Sequence, residues 1–186
     1  CFVILIGPKI RTAKVRLFTW ISNREFKKHL ENLNRLKMDG TVKIRKGQKH
    51  DLKAVFDLVK ELALYEKEPE AVTTTMADYK VAFETNAIQI LVATQAAEVI
   101  GMALYYESFS TWKGKMYYLE DFVVAQAHRR KGVGKLIFEA FLEDAKQNNC
   151  KLVKWQVLDW NEPAIKFYEK NNATIEKEWY NGKVFF

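Results

Sequence analysis

A single α/β domain from about residue 40 to the C-terminus is the fold class that this sequence predicts. Three observations point to it. The chain has 186 residues, enough for one sizeable core and short for two. Stretches of two-residue apolar alternation interleave with stretches of 3.6-residue periodicity, in the order β-α-α-β-β-β-α-β-α-β-β. No repeat or low-complexity segment breaks that order. Apolar content of 48% beside 28% charged residues excludes a fibrous or disordered chain.

Each element has a local reason. Thr41–Lys46, "TVKIRK", alternates as a half-buried strand does. Asp51 opens a helix to about Glu66, with Leu52, Val55, Phe56, Val59, Leu62 and Ala63 at helical spacing. Thr74 or Thr75 caps a second helix through Glu84. "IQILVATQ" and "EVIGMALYYES" read as strands joined by a tight turn near Ala96–Ala97, and "KMYYLEDFVVAQ" as a third, more deeply apolar strand. Val133, Leu136, Ile137, Ala140, Phe141 and Ala145 form one face of a helix to about Asn149. "KLVKWQVLD" is a further strand. Asn161 caps a last helix with Pro163 in its first turn and Asn172 near its end. "TIEKEWYNGKVFF" closes with a hairpin through Asn181-Gly182.

A net charge of +7 raises nucleic acid as a partner, so the location of the charge matters. Residues 1–37 hold nine Lys/Arg against two Asp/Glu, whereas residues 38–186 hold 21 of each. The excess therefore lies wholly in the first 37 residues, which argues against nucleic acid as a partner of the domain. That segment begins with Cys1, and the first Met is Met38, so residues 1–37 are expected to be a basic extension upstream of a domain spanning 38–186. Ser22–Lys37 has the spacing of a basic amphipathic helix. "CFVILIG" is too short to span a bilayer, and no signal-peptide order is present, so no membrane is expected. Cys1 and Cys150 have no metal or redox spacing, and His29, His50 and His128 are scattered. The expectations are no metal and a reduced, cytoplasmic setting.

The stretch "HRRKGVGK", His128–Lys135, lies between a strand and a long helix. Backbone N–H groups at a helix N-terminus are unpaired and carry a positive dipole, which makes them a phosphate cradle. Gly132 and Gly134 let a phosphate approach without a Cβ in the way, and Arg129, Arg130 and Lys131 add charge. A Walker loop is excluded because Leu136 follows Gly134-Lys135, and a dinucleotide fingerprint because Ile137 stands where a third glycine is needed. A solvated basic turn is the remaining alternative on these residues alone.

The spacing R-x-x-G-x-G before a long amphipathic helix resembles the Gcn5-related N-acetyltransferase superfamily. "LVKELALYEKE", "YYESFSTWKGKMYYLEDFVV", "RRKGVG" and "VLDWNEPAIKFYEKN" resemble its spermidine/spermine and thialysine acetyltransferase group, over roughly Thr41 to the C-terminus. The resemblance implies a mixed, mostly antiparallel twisted sheet of about seven strands flanked by about four helices. It also implies acetyl-CoA as co-substrate, a small-molecule amine as acceptor and a homodimer. Acetyl-CoA contacts are then expected along Phe122, Val123 and Val124 by strand-like backbone pairing, with an oxyanion donor among those N–H groups. Further contacts are expected from the loop Arg129, Arg130, Lys131, Gly132, Val133, Gly134 and Lys135, and from Asn161, Glu162, Pro163 and Ala164.

An alkyl ammonium has a pKa near ~10.4 and must lose a proton before it attacks. Glu120, in an apolar strand where desolvation raises a carboxyl, is the expected amine binder and base, with a structural ion pair as the alternative on the residues alone. Asp121 is expected on the opposite face unless a bulge intervenes. By resemblance Tyr168 is the acid that protonates the departing thiolate, and Tyr65, Glu66, Lys154, Trp155 and Gln156 contact the substrate. A cation at Lys154 suits a carboxylate-bearing amine, as in the thialysine type, while "NEPAIKFY" leans to the spermidine/spermine type. Protein lysine or N-terminal acetylation, a non-catalytic CoA sensor, and a nucleic-acid role for the arm are the competing functions.

Overall fold

The computed structural model describes residues 41–185. Expectations for residues 1–37, including the basic extension and its helix, lie outside those residues. Within them the chain forms β1 (Lys43–Lys46), α1 (Leu52–Tyr65), α2 (Met76–Glu84), β2 (Gln89–Gln95), β3 (Glu98–Ser110), β4 (Gly114–Val124), α3 (Val133–Gln147), β5 (Leu152–Lys154) and α4 (Glu162–Lys170). The sheet runs β1-β2-β3-β4-β5, antiparallel through β4, with β5 joined parallel to β4. This is the expected mixed, mostly antiparallel α/β layer with four helices.

Local chemistry explains the elements. Thr75 accepts from the Asp78 N–H and Asp78 answers at the Thr75 N–H, a capping box that starts α2. Ala96 and Ala97 both have positive φ, 49° and 69°, the conformation of a tight two-residue hairpin turn. Asn172, at φ 64°, stops the chain just past α4 as an αL-tolerant residue does.

Two apolar layers sandwich the sheet. On one face Leu52, Val55 and Leu58 of α1 pack with Ile90, Val92, Met102, Leu104 and Val123. On the other, Ile137, Phe138 and Phe141 of α3 and Tyr168 of α4 pack with Tyr105, Tyr117 and Leu119. Full burial of such side chains contributes about 1.5–3 kcal/mol each.

Two expectations are corrected. Seven strands become five, because Thr174–Phe185 has no ladder partner and runs as coil, half-buried at Ile175 and exposed beyond it, with Trp179 73% and Tyr180 100% exposed. An Asn-Gly turn favours a hairpin only where the flanking residues have a sheet and a core to join. The strand read across "KLVKWQVLD" is three residues long, since the chain leaves β4 after Lys154.

Candidate active site

The separation of β4 from β5 makes the cleft. Their pairing is Met116↔Leu152, Tyr117↔Val153 and Tyr118↔Lys154, and it ends there. β4 continues to Val124 while still paired with β3 on its other edge. The β5-side edge of Leu119–Val124 therefore offers backbone groups to an extended ligand.

The basic loop closes one end of that edge. Gly132, at φ 82°, precedes α3, and a Cβ on Gly134 would sit 3.7 Å from both Phe122 Cζ and Val124 Cγ2. The α3 N-terminus thus faces the end of β4 across a gap one methyl wide, and its first N–H groups have no intrahelical acceptor. Arg130, Lys131 and Lys135 are all exposed, Arg130 with a φ of 60°. These features fit a pyrophosphate.

Arg129 is engaged elsewhere. Its Nε donates to the Val124 carbonyl (2.8 Å), its guanidinium to Glu61 Oε1 (2.9 Å), and it lies over the Tyr65 ring at 5.3 Å. Glu61 Oε1 also accepts from the Gln126 N–H at 2.9 Å. Glu61 was not legible in the sequence as more than a surface glutamate on α1.

A bulge reshapes the acidic part of the site. Leu104 pairs with Asp121 and Tyr105 with Leu119, so Glu120 has no partner across β3. The bulge is the exception allowed for Asp121: its partner Leu104 belongs to the α1 layer, and so does Asp121. Glu120 is exposed. The desolvated carboxyl is Asp121. Burial first, then the charges of Glu120 and Glu66, push it up to about 6. Glu66, just past the end of α1, is itself raised by burial. The same carboxylates act on phenols around them: burial, Asp121 and Glu120 push Tyr79 up to about 12, and burial followed by Glu120 raises Tyr106.

Tyr168 sits on the other side of β4 in an aromatic cluster. Its ring lies 4.7 Å from Trp155, 5.6 Å from Phe138 and 6.3 Å from Phe122, and it is 6% exposed. Burial, then Glu66, hold the phenol well above its usual range, so it stays protonated at neutral pH. Asn161 Oδ1 caps α4 by accepting from the Ala164 N–H and also accepts from the Tyr65 hydroxyl, both at 3.3 Å. Glu162 and Pro163 form the first turn of α4 behind that cap.

Of the expected substrate contacts, Lys154 is the last β5 residue paired with β4, while Tyr65 and Glu66 stand at the C-terminal end of α1. Lys154 pairs with Tyr118, which pairs with Tyr106 and stacks on it at 5.4 Å, so the three form one row across the sheet. Trp155 points the other way, into the layer of Phe138 and Tyr168. Gln156 is exposed and donates to Asn181. Glu107 pairs with Lys115 on the β3–β4 hairpin. No group of three or more His, Cys, Asp or Glu able to hold a metal occurs among the described residues. No helix among them is long and apolar enough to cross a membrane.

Residues 52–173 match the model of the acetyltransferase (GNAT) family. The chain belongs to this family. Its similarity extends to the thialysine N-epsilon-acetyltransferase of Bos taurus, 36% identical over 142 residues that cover 71% of this chain and 84% of the relative. It is also similar to spermidine/spermine N(1)-acetyltransferase-like protein 1 of Homo sapiens, 28% identical over 149 residues covering 74% of this chain and 21% of that one. Among solved structures, an aminoglycoside acetyltransferase from an uncultured soil metagenomic sample superposes with a TM-score of 0.68 at 16% identity, over 84% of this chain and 99% of that chain. That likeness shows the fold. GNAT enzymes use acetyl-CoA as co-substrate.

Proposed function

We propose that this acetyltransferase moves an acetyl group from acetyl-CoA to a primary amine of a small molecule, a diamine, a polyamine or a lysine-like amino acid such as thialysine. The observation that carries the reading is the clustering of Glu66, Glu120 and Asp121, with Glu66 also close enough to act on the buried Tyr168. Three carboxylates attract a cationic amine, and Asp121 among them is pushed up to about 6.

Acetyl-CoA, when bound, supplies the thioester. The exposed edge of Phe122–Val124 and the segment Arg130–Lys135 are the groups of this chain that would hold it, with the Asn161–Ala164 turn alongside. An N–H of that edge offers the oxyanion donor. Glu120 binds the ammonium and accepts its proton, directly or through water. The Tyr168 hydroxyl, protonated at working pH, donates to the leaving sulfur.

Lys154 favours the amino-acid branch of this reading. It stands in the Tyr106–Tyr118 row that borders the carboxylates, where a cation repels a second ammonium and pairs with a substrate carboxylate. In the same reading residues 38–186 form the catalytic domain, the enzyme is a homodimer, and it works in the cytoplasm, a setting that the free thiol of Cys150 suits.

Thiol release from acetyl-CoA by the full chain, compared across putrescine, spermidine, lysine and thialysine, tests the proposal. Turnover of thialysine or lysine above the polyamines is expected. Failure of all four amines, with acetyl-CoA still bound, turns the reading to protein substrates or a CoA sensor.

A further inference from the structure

Arg129 opens the R-x-x-G-x-G motif, yet its side chain is spent on protein. Three contacts tie it to two elements: the Val124 carbonyl at the end of β4, and on α1 both Glu61 and the ring of Tyr65 one turn further along. Glu61 holds the start of the loop as well, through the Gln126 N–H. Tyr65 continues the chain of contacts to the Asn161 cap of α4, and its ring lies 5.9 Å from Trp160. Glu66, the residue after Tyr65, is the carboxylate that acts on both Asp121 and Tyr168.

We propose that Arg129 and Glu61 form a positioning clamp that sets the Tyr65–Glu66 arm between β4 and the helix carrying Tyr168, so that Arg129 serves the amine side of the site and not the cofactor's phosphates. The role of Glu66 at the amine rests on the reading given under Proposed function; the clamp itself rests on the contacts. A guanidinium suits this place because its planar fork reaches a carbonyl and a carboxylate together while its face lies on a ring. Lysine offers a single ammonium and cannot do all three. Half-buried charge-assisted bonds of this kind orient what they join more than they stabilise it.

Glu61 discriminates between the two assignments, since it carries the wrong charge to bind phosphate. The experiment takes the full chain as Glu61→Gln, Arg129→Gln and the double variant. It reads KM for the amine and for acetyl-CoA by thiol release, CoA affinity by calorimetry, and amide hydrogen exchange over residues 62–66. The expected result is an amine KM raised about 10-fold in either single variant, with acetyl-CoA KM and CoA affinity within about 2-fold of wild type. The double variant is expected to be no worse than either single one, as for two residues of one unit. Faster exchange at residues 62–66 is expected in all three. CoA affinity lost about 10-fold in Arg129→Gln, with exchange and amine KM unchanged in Glu61→Gln, overturns the clamp and makes Arg129 a phosphate ligand. If Arg129→Gln does not fold, Glu61→Gln decides alone. If no small amine is turned over by wild type, the function reading fails, while exchange and calorimetry still decide the clamp.

Discussion

Glu120 and Asp121 are neighbours in β4 and sit on the same side of the sheet, because the ladder passes from Tyr105↔Leu119 to Leu104↔Asp121 and leaves Glu120 between them without a partner. In a regular strand the two would be on opposite faces. Asp121 holds its proton more tightly because it is buried, and the charge of its neighbour Glu120 on the same face adds to the effect.

The pH dependence of stability follows. The Asp121 carboxyl is raised to about 6 in the folded protein, against an ordinary value near ~3.9 in the unfolded chain, so the fold binds more protons between about pH 4 and 6. This group therefore favours the folded state below that window and loses the contribution as pH rises through 6. Asp121→Asn should raise the melting temperature at pH 8 and leave it little changed at pH 4. Melting curves of wild type and variant at both pH values check the sign.

Tyr168 has separate packing and chemical parts. Its ring fills the space between Trp155, Phe138 and Phe122, which Phe would fill equally well. Tyr168→Phe should melt like wild type, bind CoA like wild type and lose on the order of 10²-fold in kcat. Thiol release beside a melting curve measures both.

Glu120 is exposed, so its removal should cost the fold nothing measurable. Glu120→Gln is expected to lower kcat/KM for the amine by about 10²-fold while acetyl-CoA affinity is retained. Steady-state kinetics with the preferred amine read it.

Gly132 and Gly134 should fail for different reasons when changed to Ala. At Gly132 the φ of 82° strains any L side chain, with nothing within 4 Å of the new Cβ, so about 1 kcal/mol of stability should be lost. At Gly134 the new Cβ makes ordinary contact with Phe122 and Val124 and narrows the gap at the helix N-terminus. Gly134→Ala should keep its melting temperature and raise the acetyl-CoA KM several-fold. Melting and kinetics on the two variants separate strain from occlusion.

Lys154 sets the charge beside Tyr118. Lys154→Glu should shift preference from lysine-like amino acids toward spermidine by about 10-fold in relative kcat/KM, one opposed charge pair being worth about 1–2 kcal/mol at a surface. Relative rates on thialysine and spermidine measure the shift.

The sequence by itself determined the α/β class, the order of four helices and five strands, the turn at Ala96–Ala97, the cap at Asn161 and the glycine loop before α3. These rest on interactions within a few residues: capping, period and φ preference. The acetyltransferase family was legible too, because its motifs lie in short contiguous runs. Tertiary structure alone decided what those runs do not contain. The bulge at Glu120 depends on register between two strands, and Asp121 could have been suspected only from two acids standing together in an apolar strand. Arg129, at the start of the glycine loop, is paired with Glu61, 68 residues earlier. The closing Asn-Gly hairpin is absent because a turn forms strands only where a sheet edge and a core receive them. Local chemistry writes the elements; pairing between distant residues chooses which side chains meet.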